Sequence, residues 1–162
     1  MHCDETTLQV LKEPDKQASQ KSYMWVRVGG SPTQLVRLFH YTDSRRGQVT
    51  STLLADYNGY LQTDDYAGYN TVCAENSITQ LGCWAHARRK FIDAQKANSS
   101  KTKKTGKAGK AGVAINLISK LYAIEKRIKE LNPNDKYTTR QKESVPILTD
   151  IHQWLDKPTL PP

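Results

Sequence analysis

The fold is constrained most by a change of hydrophobic pattern at a lysine-rich segment, residues 98–112. Before this segment, short β-favouring stretches alternate with turns and short helical stretches, which predicts the order β-β-β-α-β-α-β-α. After it, apolar residues recur every three or four positions, which predicts two amphipathic helices. The chain is therefore predicted to join a mixed α/β layered domain, residues 1–97, to a helical hairpin, residues 113–157.

The predicted elements lie between clusters of turn-forming residues. The strands are expected at residues 3–11, 23–28, 35–41, 59–63 and 78–84. The helices are expected at residues 44–57, 66–75 and 85–97, and in the hairpin at 114–131 and 140–155. In the last of these helices, the residues expected to face inward are Val145, Leu148, Ile151 and Leu155. Asp43 or Ser44 is the expected N-cap of the first helix. Trp25, Trp84 and Phe91 are expected in the core.

Positive charge is concentrated in one part of the chain. The 162 residues carry a net charge of +8, and residues 98–142 hold 12 basic and 3 acidic residues. In residues 98–112, lysine alternates with glycine and small residues, which is typical of a solvated linker. The linker is either a spacer or an arm that neutralises phosphates without reading a base sequence. The proline-rich end, residues 158–162, is expected to be frayed.

Several classes of protein are disfavoured by the sequence. No apolar run approaches the roughly 18 residues that a bilayer span needs. The first residues lack the pattern of a signal peptide, and three cysteines are too few and uneven for a disulfide scaffold. These features favour a cytoplasmic protein without membrane partners. Cys83 and His86 have the spacing of a zinc half-site, but the remaining cysteines do not complete it.

Two aspartates are candidates for a metal site. In a β-β-β-α-β sheet the fourth strand can lie beside the first, which would bring Asp4 and Asp64 to one edge of the sheet. Convergent carboxylates suit Mg²⁺ or Mn²⁺, and two such ions can catalyse phosphodiester chemistry. The simpler interpretation is that an aspartate at a strand end is a turn or cap residue.

Three strings in the chain resemble the transposases of bacterial insertion sequences, in particular the group numbered sixty-six, which belongs to the DDE class. The strings are Asp4-Glu5-Thr6, residues 59–70 (GYLQTDDYAGYN) and residues 83–91 (CWAHARRKF). Weaker likeness is found in residues 121–125 and 151–155. The resemblance covers nearly the whole chain. It implies an RNase H-like (retroviral integrase-like) fold, with a mixed sheet flanked by helices and a C-terminal helical hairpin insertion.

The resemblance also implies roles for individual residues. Asp4 corresponds to the first catalytic acid and Asp64 to the second. The family usually has glycine at the position of Asp65, so Asp65 is an alternative ligand. Because neighbouring residues of a strand point to opposite faces, only one of these two should face the metal, and Asp64 is preferred.

The third catalytic acid of the family lies in a later motif that this sequence does not contain. Glu125 could replace it, but the spacing to Lys129 is that of a surface salt bridge on a helix. The chain therefore resembles the first part of a catalytic domain followed by the helical insertion that precedes the third acid. It would be a truncated piece or the product of a decayed element, and inactive alone.

The implied activity is metal-dependent DNA cleavage and strand transfer, with two Mg²⁺ or Mn²⁺ ions in the complete domain. The implied partners are transposon ends, target DNA, a second copy of the chain and accessory proteins of the element, in the nucleoid of a bacterial cytoplasm. Two alternatives are a non-catalytic DNA-binding or interaction module and a nuclease of the same fold.

Basic residues near the start of the helix after the fifth strand are candidates for contact with DNA, because a helix N-terminus favours phosphate. The alternative is an ordinary solvated basic face. The predicted DNA-binding residues are His86, Arg88, Arg89, Lys90, Lys101, Lys103, Lys104, Lys107 and Lys110.

Overall fold

Three antiparallel strands begin the fold. The computed structural model describes residues 1–31, 33–97 and 109–156. Its first strands are β1 (His2–Gln9), β2 (Lys21–Ser31) and β3 (Gln34–Thr42), with β2 paired to both neighbours. Gly30 has a φ of 97°, and a Cβ there would lie 2.2 Å from the carbonyl oxygen of Gln34. The close approach of β2 and β3 therefore requires glycine.

Two parallel strands complete the sheet. The elements after β3 are α1 (Gly47–Leu53), β4 (Gly59–Thr63), a 3₁₀ turn (Ala67–Tyr69), α2 (Asn70–Glu75) and β5 (Ile78–Gly82). β4 pairs in parallel with β1 on one side and with β5 on the other, so the strand order is β3-β2-β1-β4-β5. The predicted mixed α/β class is confirmed, as is the position of the fourth strand beside the first.

Helix α1 is shorter than predicted, and neither Asp43 nor Ser44 caps it. It begins after Arg46, which has an extended backbone. The hydroxyl of Thr42 donates to the Ser44 carbonyl at 2.8 Å, so this carbonyl is satisfied outside a helix. At the other end, the side-chain amide of Asn76 donates to the Leu54 and Ala55 carbonyls, which ends α1 before Tyr57.

One face of the sheet forms a core with α1, the 3₁₀ turn and α2. The buried residues are Cys3, Trp25, Leu53, Leu54, Leu61, Tyr69, Val72, Cys73 and Ile78. Trp25 is fully buried, as predicted, and its indole N–H donates to Thr42 Oγ1 at 2.8 Å. Its ring contacts Tyr69 edge-on with centroids 6.2 Å apart. The polar end of Trp25 is thus satisfied while its ring fills the core.

The chain divides into two compact units. We call Met1–Cys83 the sheet unit and the part that begins at Trp84 the helical unit. The second unit contains α3 (Trp84–Ala97), α4 (Lys110–Arg127), α5 (Pro133–Thr139), a π-helical turn (Arg140–Ser144) and α6 (Val145–Asp156). α4 packs against α3 and α6. The buried hydrophobic residues of this unit are Ala114, Ile118, Leu121, Ile124, Ile128 and Ile151.

The second arm of the hairpin starts earlier than predicted, at Pro133. Asn132 is its N-cap and accepts a hydrogen bond from the Asp135 backbone N–H at 2.9 Å. Proline suits the first helical position because its missing N–H is not needed there. Further along, Pro146 follows the π-helical turn, a distortion that helices use where the regular hydrogen-bond ladder is interrupted.

The buried face of α6 differs from the predicted one. Val145, Leu148 and Leu155 were expected inward, but they are exposed, and Ile151 alone of that set is buried. Trp154 instead contacts Phe91 edge-on at 6.0 Å. Apolar residues occur on two adjoining faces of α6, so periodicity could not choose between them. Trp84, also expected in the core, is 39% exposed at the first position of α3.

The predicted domain limits stay predictions. Residues 98–108 and 157–162 lie outside the described residues, and α4 begins at Lys110, within the segment expected to be a linker. Within the described ranges, no helix combines the length and apolar character needed to cross a bilayer.

Candidate active site

The candidate site lies where β1 and β4 run side by side. In the parallel pairing of these strands, His2 is opposite Gln62. Two positions further along each strand are Asp4 and Asp64, so the strand register brings the two predicted acids to the same level of the sheet. This pairing brings together two residues that are 60 positions apart in the sequence. The assignment of both as catalytic metal ligands remains a prediction.

Asp64 directly follows β4, and both of its carboxylate oxygens are engaged. Oδ1 accepts from the Tyr66 backbone N–H at 3.0 Å, and Oδ2 accepts from the Arg45 guanidinium at 3.2 Å. Its side chain is 25% exposed. Asp64 is therefore held in place yet open to solvent.

Asp65 differs from Asp64 in conformation and surroundings. It is exposed, and its φ of 70° lies in the left-handed region that favours glycine. This conformation gives a physical reason for the glycine that the family usually has here. The Asp65 backbone N–H donates to Thr63 Oγ1 at 3.2 Å. The geometry favours Asp64 over Asp65 as the anchored acid, and the choice of metal ligand stays a prediction.

Asp4 is half-buried near the middle of β1, and its Oδ1 accepts a hydrogen bond from the Glu5 backbone N–H at 3.0 Å. Strand alternation places the Asp4 and Glu5 side chains on opposite faces of the sheet. Asp4 shares its face with Val26, its partner on β2, whereas Glu5 is opposite the buried Trp25. The two acidic neighbours thus belong to different environments.

Glu5 is a buried carboxylate beside the candidate site. Its side chain is only 3% exposed and forms an ion pair and a hydrogen bond with Arg45. The Tyr69 hydroxyl donates to its second oxygen at 3.2 Å. Burial raises the pKa of Glu5, and the Arg45 cation opposes that rise. Burial also raises the pKa of the Tyr69 phenol, which keeps it a hydrogen-bond donor.

Arg45 links Glu5 to Asp64, and the sequence had not singled it out. Its guanidinium carbon lies 3.7 Å from the centroid of the Tyr66 ring, a cation–π contact. The Tyr66 hydroxyl donates to the Arg45 carbonyl. The available signal was Glu5 itself, because a charged residue on the buried face of a strand requires a partner.

The oxygen donors of Asp4 and Asp64 have the chemistry that Mg²⁺ and Mn²⁺ prefer. Mg²⁺ is commonly bound through one or two carboxylates, with waters and substrate phosphates completing its octahedron. Each of the two carboxylates could therefore serve as one such ligand. Within the described parts of the chain, no three His, Cys, Asp or Glu side chains gather closely enough to hold a metal.

Glu125 lies in the helical unit on the surface of α4, as predicted, but its partner was predicted wrongly. It accepts two hydrogen bonds from Arg140, at 2.8 and 2.7 Å, instead of pairing with Lys129. These bonds lower the pKa of Glu125. Because the two-pronged guanidinium matches both carboxylate oxygens, Arg140 on the facing arm is the better partner.

Four predicted DNA-binding residues lie on α3, and one begins α4. Arg88 and Arg89 line a shallow groove of about 500 Å³ together with Ser119 and Tyr122 of α4. Within the described residues, neither arginine side chain forms an ion pair. His86 is half-buried, and Lys90 and Lys110 are exposed. The other four predicted residues, Lys101, Lys103, Lys104 and Lys107, lie outside the described residues.

Comparison with known proteins gives one family and a set of relatives. The family model described as "Transposase IS66 family" matches residues 1–161. The uncharacterized protein y4hP of Sinorhizobium fredii (strain NBRC 101917 / NGR234) is 32% identical over 168 residues, which cover 97% of this chain and 30% of y4hP.

Two further uncharacterized proteins of the same strain are similar. y4jD is 28% identical and y4qI is 27% identical, and the matches cover 91% and 95% of this chain but 29% of each relative. The chain therefore spans about 30% of the length of the curated relatives it matches.

Proposed function

The chain belongs to the IS66 family of transposases, and from that premise we propose that it supplies the first two carboxylates, Asp4 and Asp64, of a metal-dependent DNA cleavage and strand-transfer site. The observation that carries this proposal is the parallel pairing of β1 with β4, with His2 opposite Gln62. That pairing brings the two acids level with each other across 60 positions of sequence. The strand order β3-β2-β1-β4-β5 also supports an RNase H-like arrangement.

Each acid would have a defined task in this site. Asp4 and Asp64 would hold the divalent ions, which supply Lewis acidity for phosphodiester cleavage when bound. The Tyr66 backbone N–H already holds one oxygen of the Asp64 carboxylate before any ligand arrives. Such preorganisation lowers the cost of assembling the site.

Titration of the isotope-labelled chain with Mn²⁺ tests the metal site. We expect paramagnetic broadening of the amide signals of residues 4 and 64 before those of other acidic residues. Asp64→Asn should weaken Mn²⁺ binding at least about tenfold, because losing even an outer-shell partner of a ligand costs about that much. Asp65→Asn is the matched control and should bind Mn²⁺ as the unsubstituted chain does. No broadening at residues 4 and 64 in the folded chain would contradict the proposal, and the reverse ranking of the two variants would move the ligand to Asp65.

We also propose a second candidate function for the chain on its own. It would bind DNA as a non-catalytic module and would not cut or join it. The supporting observation is that, within the described residues, no three His, Cys, Asp or Glu side chains form a group that could hold a metal ion. The test is nicking of supercoiled plasmid in Mn²⁺. We expect no cleavage above that of the Asp64→Asn variant. Nicking by the unsubstituted chain that this substitution abolishes would show a complete site instead.

The groove between α3 and α4 is proposed as a contact for the DNA backbone. Arg88 and Arg89 line it without an acidic partner in the described residues, and Tyr122 adds a hydroxyl donor. Residues 101–107 would add contacts from the lysine-rich segment. Phosphate contacts of this kind give binding that ignores base sequence and weakens with salt.

The salt dependence of duplex binding tests this groove. Fluorescence anisotropy at several salt concentrations should show that Arg88→Gln and Arg89→Gln each reduce the logarithmic salt slope by about 1. Lys126→Gln is the matched control, because it removes the same charge from an exposed position of α4 outside the groove. Equal effects of all three substitutions would indicate a general charge effect and would exclude a specific contact.

A further inference from the structure

The buried pair of Glu5 and Arg45 has no part in the roles proposed so far. Glu5 is 3% exposed and Arg45 is 34% exposed, so the pair extends from the core to the solvent-accessible end of the site. A buried carboxylate without a counter-charge costs several kcal/mol. Arg45 offsets that cost, but a lysine would also supply the charge. The geometry of the guanidinium indicates a further task.

The guanidinium has two acceptors in different directions. Nε and one terminal nitrogen contact Glu5, while the terminal nitrogen Nη2 also lies 3.2 Å from Asp64 Oδ2. The planar fork of arginine can satisfy two carboxylates in a fixed orientation, which the single point of a lysine ammonium does not do. The guanidinium can therefore hold the Asp64 carboxylate in an orientation that is set by the buried Glu5.

Tyr66 also restrains the Arg45 guanidinium and the Asp64 carboxylate. Its ring lies against the guanidinium at 3.7 Å, and its hydroxyl donates to the Arg45 carbonyl. Its backbone N–H also donates to the other oxygen of Asp64 at 3.0 Å. Tyr69, which contacts Tyr66 edge-on at 6.0 Å, donates to Glu5. Two tyrosines thus restrict the movement of both members of the pair.

We propose that Arg45, held by Glu5 and Tyr66, is a positioning residue that fixes the orientation of the Asp64 carboxylate for the metal. The part that concerns the metal rests on the function proposed above. Arg45 is a cation and is not itself a ligand. Its effect on metal binding therefore has two opposing components, since its charge repels the ion while its hydrogen bond orders the ligand. These components predict opposite results on substitution.

The first test needs no metal. Three-bond couplings of the Asp64 side chain report whether its χ1 angle occupies one rotamer. We expect one rotamer in the unsubstituted chain and in Arg46→Gln, which removes an equal charge from the adjacent exposed position. We expect rotamer averaging in Arg45→Lys, which keeps the charge but removes the fork. A single unchanged rotamer in Arg45→Lys would overturn the inference.

The second test uses Mn²⁺ alone as the probe. If Arg45 positions Asp64, Arg45→Lys should weaken Mn²⁺ binding by about tenfold, the usual effect of losing an outer-shell partner, and Arg46→Gln should not. If Arg45 acts only by repulsion, Arg45→Gln should tighten binding and Arg45→Lys should leave it unchanged, which would overturn the inference. Where Arg45→Gln does not fold, the double variant Glu5→Gln/Arg45→Gln removes both charges and permits the same comparison.

The two readouts separate this inference from the proposed function. If the unsubstituted chain binds no Mn²⁺ at residues 4 and 64, the proposed metal site fails. The χ1 measurement then still decides whether Arg45 orients Asp64. If Mn²⁺ binds there but Arg45→Lys changes neither the rotamer nor the affinity, the metal site stands and the positioning role is wrong.

Discussion

The two units of this protein use the same pair of residue types, glutamate and arginine, in opposite ways. In the sheet unit, Glu5 is 3% exposed and its arginine also contacts Asp64. In the helical unit, Glu125 and Arg140 are 46% and 48% exposed, and neither forms a second ion pair with another described residue. Glu125–Arg140 has the better hydrogen-bond geometry, because both carboxylate oxygens accept from the guanidinium. It is nevertheless the pair with fewer contacts. Burial and connection to a third residue, more than pairing itself, distinguish the two.

The helical unit meets its polar requirements locally. Asn132 caps α5 through a residue three positions away, and the pairs Glu125–Arg140 and Arg127–Glu143 join the two arms at the surface. The sheet unit instead brings together groups that are 40 and 59 positions apart in sequence, as Arg45 and Asp64 lie from Glu5. Removal of a polar group should therefore have a larger effect in the sheet unit.

The largest effect is expected for Arg45→Met. It leaves Glu5 buried without a counter-charge, which should reduce the free energy of unfolding of the sheet unit by about 3 kcal/mol. Urea denaturation followed through the amide signals of residues 1–83 measures this. The double variant Glu5→Gln/Arg45→Met should recover most of the loss, because no buried charge remains. A loss below about 1 kcal/mol in the single variant would show that Arg45 does not offset the cost of burying the Glu5 carboxylate.

An intermediate effect is expected for Asn132→Ala in the helical unit. It removes the side chain that accepts the Asp135 N–H, and loss of such a cap costs about 1 kcal/mol. Asn134→Ala is the control, because Asn134 lies within α5 and does not cap it. The same urea experiment, read from the amides of residues 110–156, measures both. Equal losses in the two variants would mean that the cap contributes nothing beyond helix propensity.

The smallest effect is expected for Glu125→Gln, at less than about 1 kcal/mol, because solvent screens an exposed pair. Arg140 lowers the pKa of Glu125, so the pair stabilises the folded state above the unfolded pKa of glutamate, about 4.3. This stabilisation is lost as the pH falls through the lower, folded pKa. Denaturation of the variant and the unsubstituted chain should therefore converge in acid. Glu130→Gln, at an 88% exposed position, is the control, and a difference that persists in acid would contradict the ionic origin.

Much of the sheet could be predicted because its strands carry strong local signals. Trp25 and Leu61 lie in β-favouring stretches bounded by turns, and both are buried. The order of elements allowed β4 to lie beside β1, and the structure places it there. Helix ends were less predictable, since Asn76 ends α1 from 22 positions away. The face of α6 was mistaken because apolar residues cover two adjoining faces of that helix.

The candidate site was predicted only as far as its two aspartates. Asp4 and Asp64 stood out because strand order brought them together, and their role as ligands awaits the Mn²⁺ experiment. Arg45 had no local signal, because it lies in an irregular stretch that was predicted to start a helix. Its importance depends on contacts with residues 40 positions before it and 19 after it. Such contacts are set by the tertiary fold and leave no periodic pattern in the sequence.

The pairing of His2 with Gln62 determines how early the candidate site can assemble while the chain is being synthesised. At about 5–20 residues per second, β1 is synthesised roughly 3–12 seconds before β4 exists to pair with it. During this interval the β1–β2–β3 meander can form, but Glu5 lacks the Tyr69 hydroxyl and the core residues that follow β4. The site is therefore completed late in synthesis, and a nascent chain stalled before residue 64 would hold Glu5 through Arg45 alone, without the Tyr69 hydroxyl or the core residues of the 3₁₀ turn and α2.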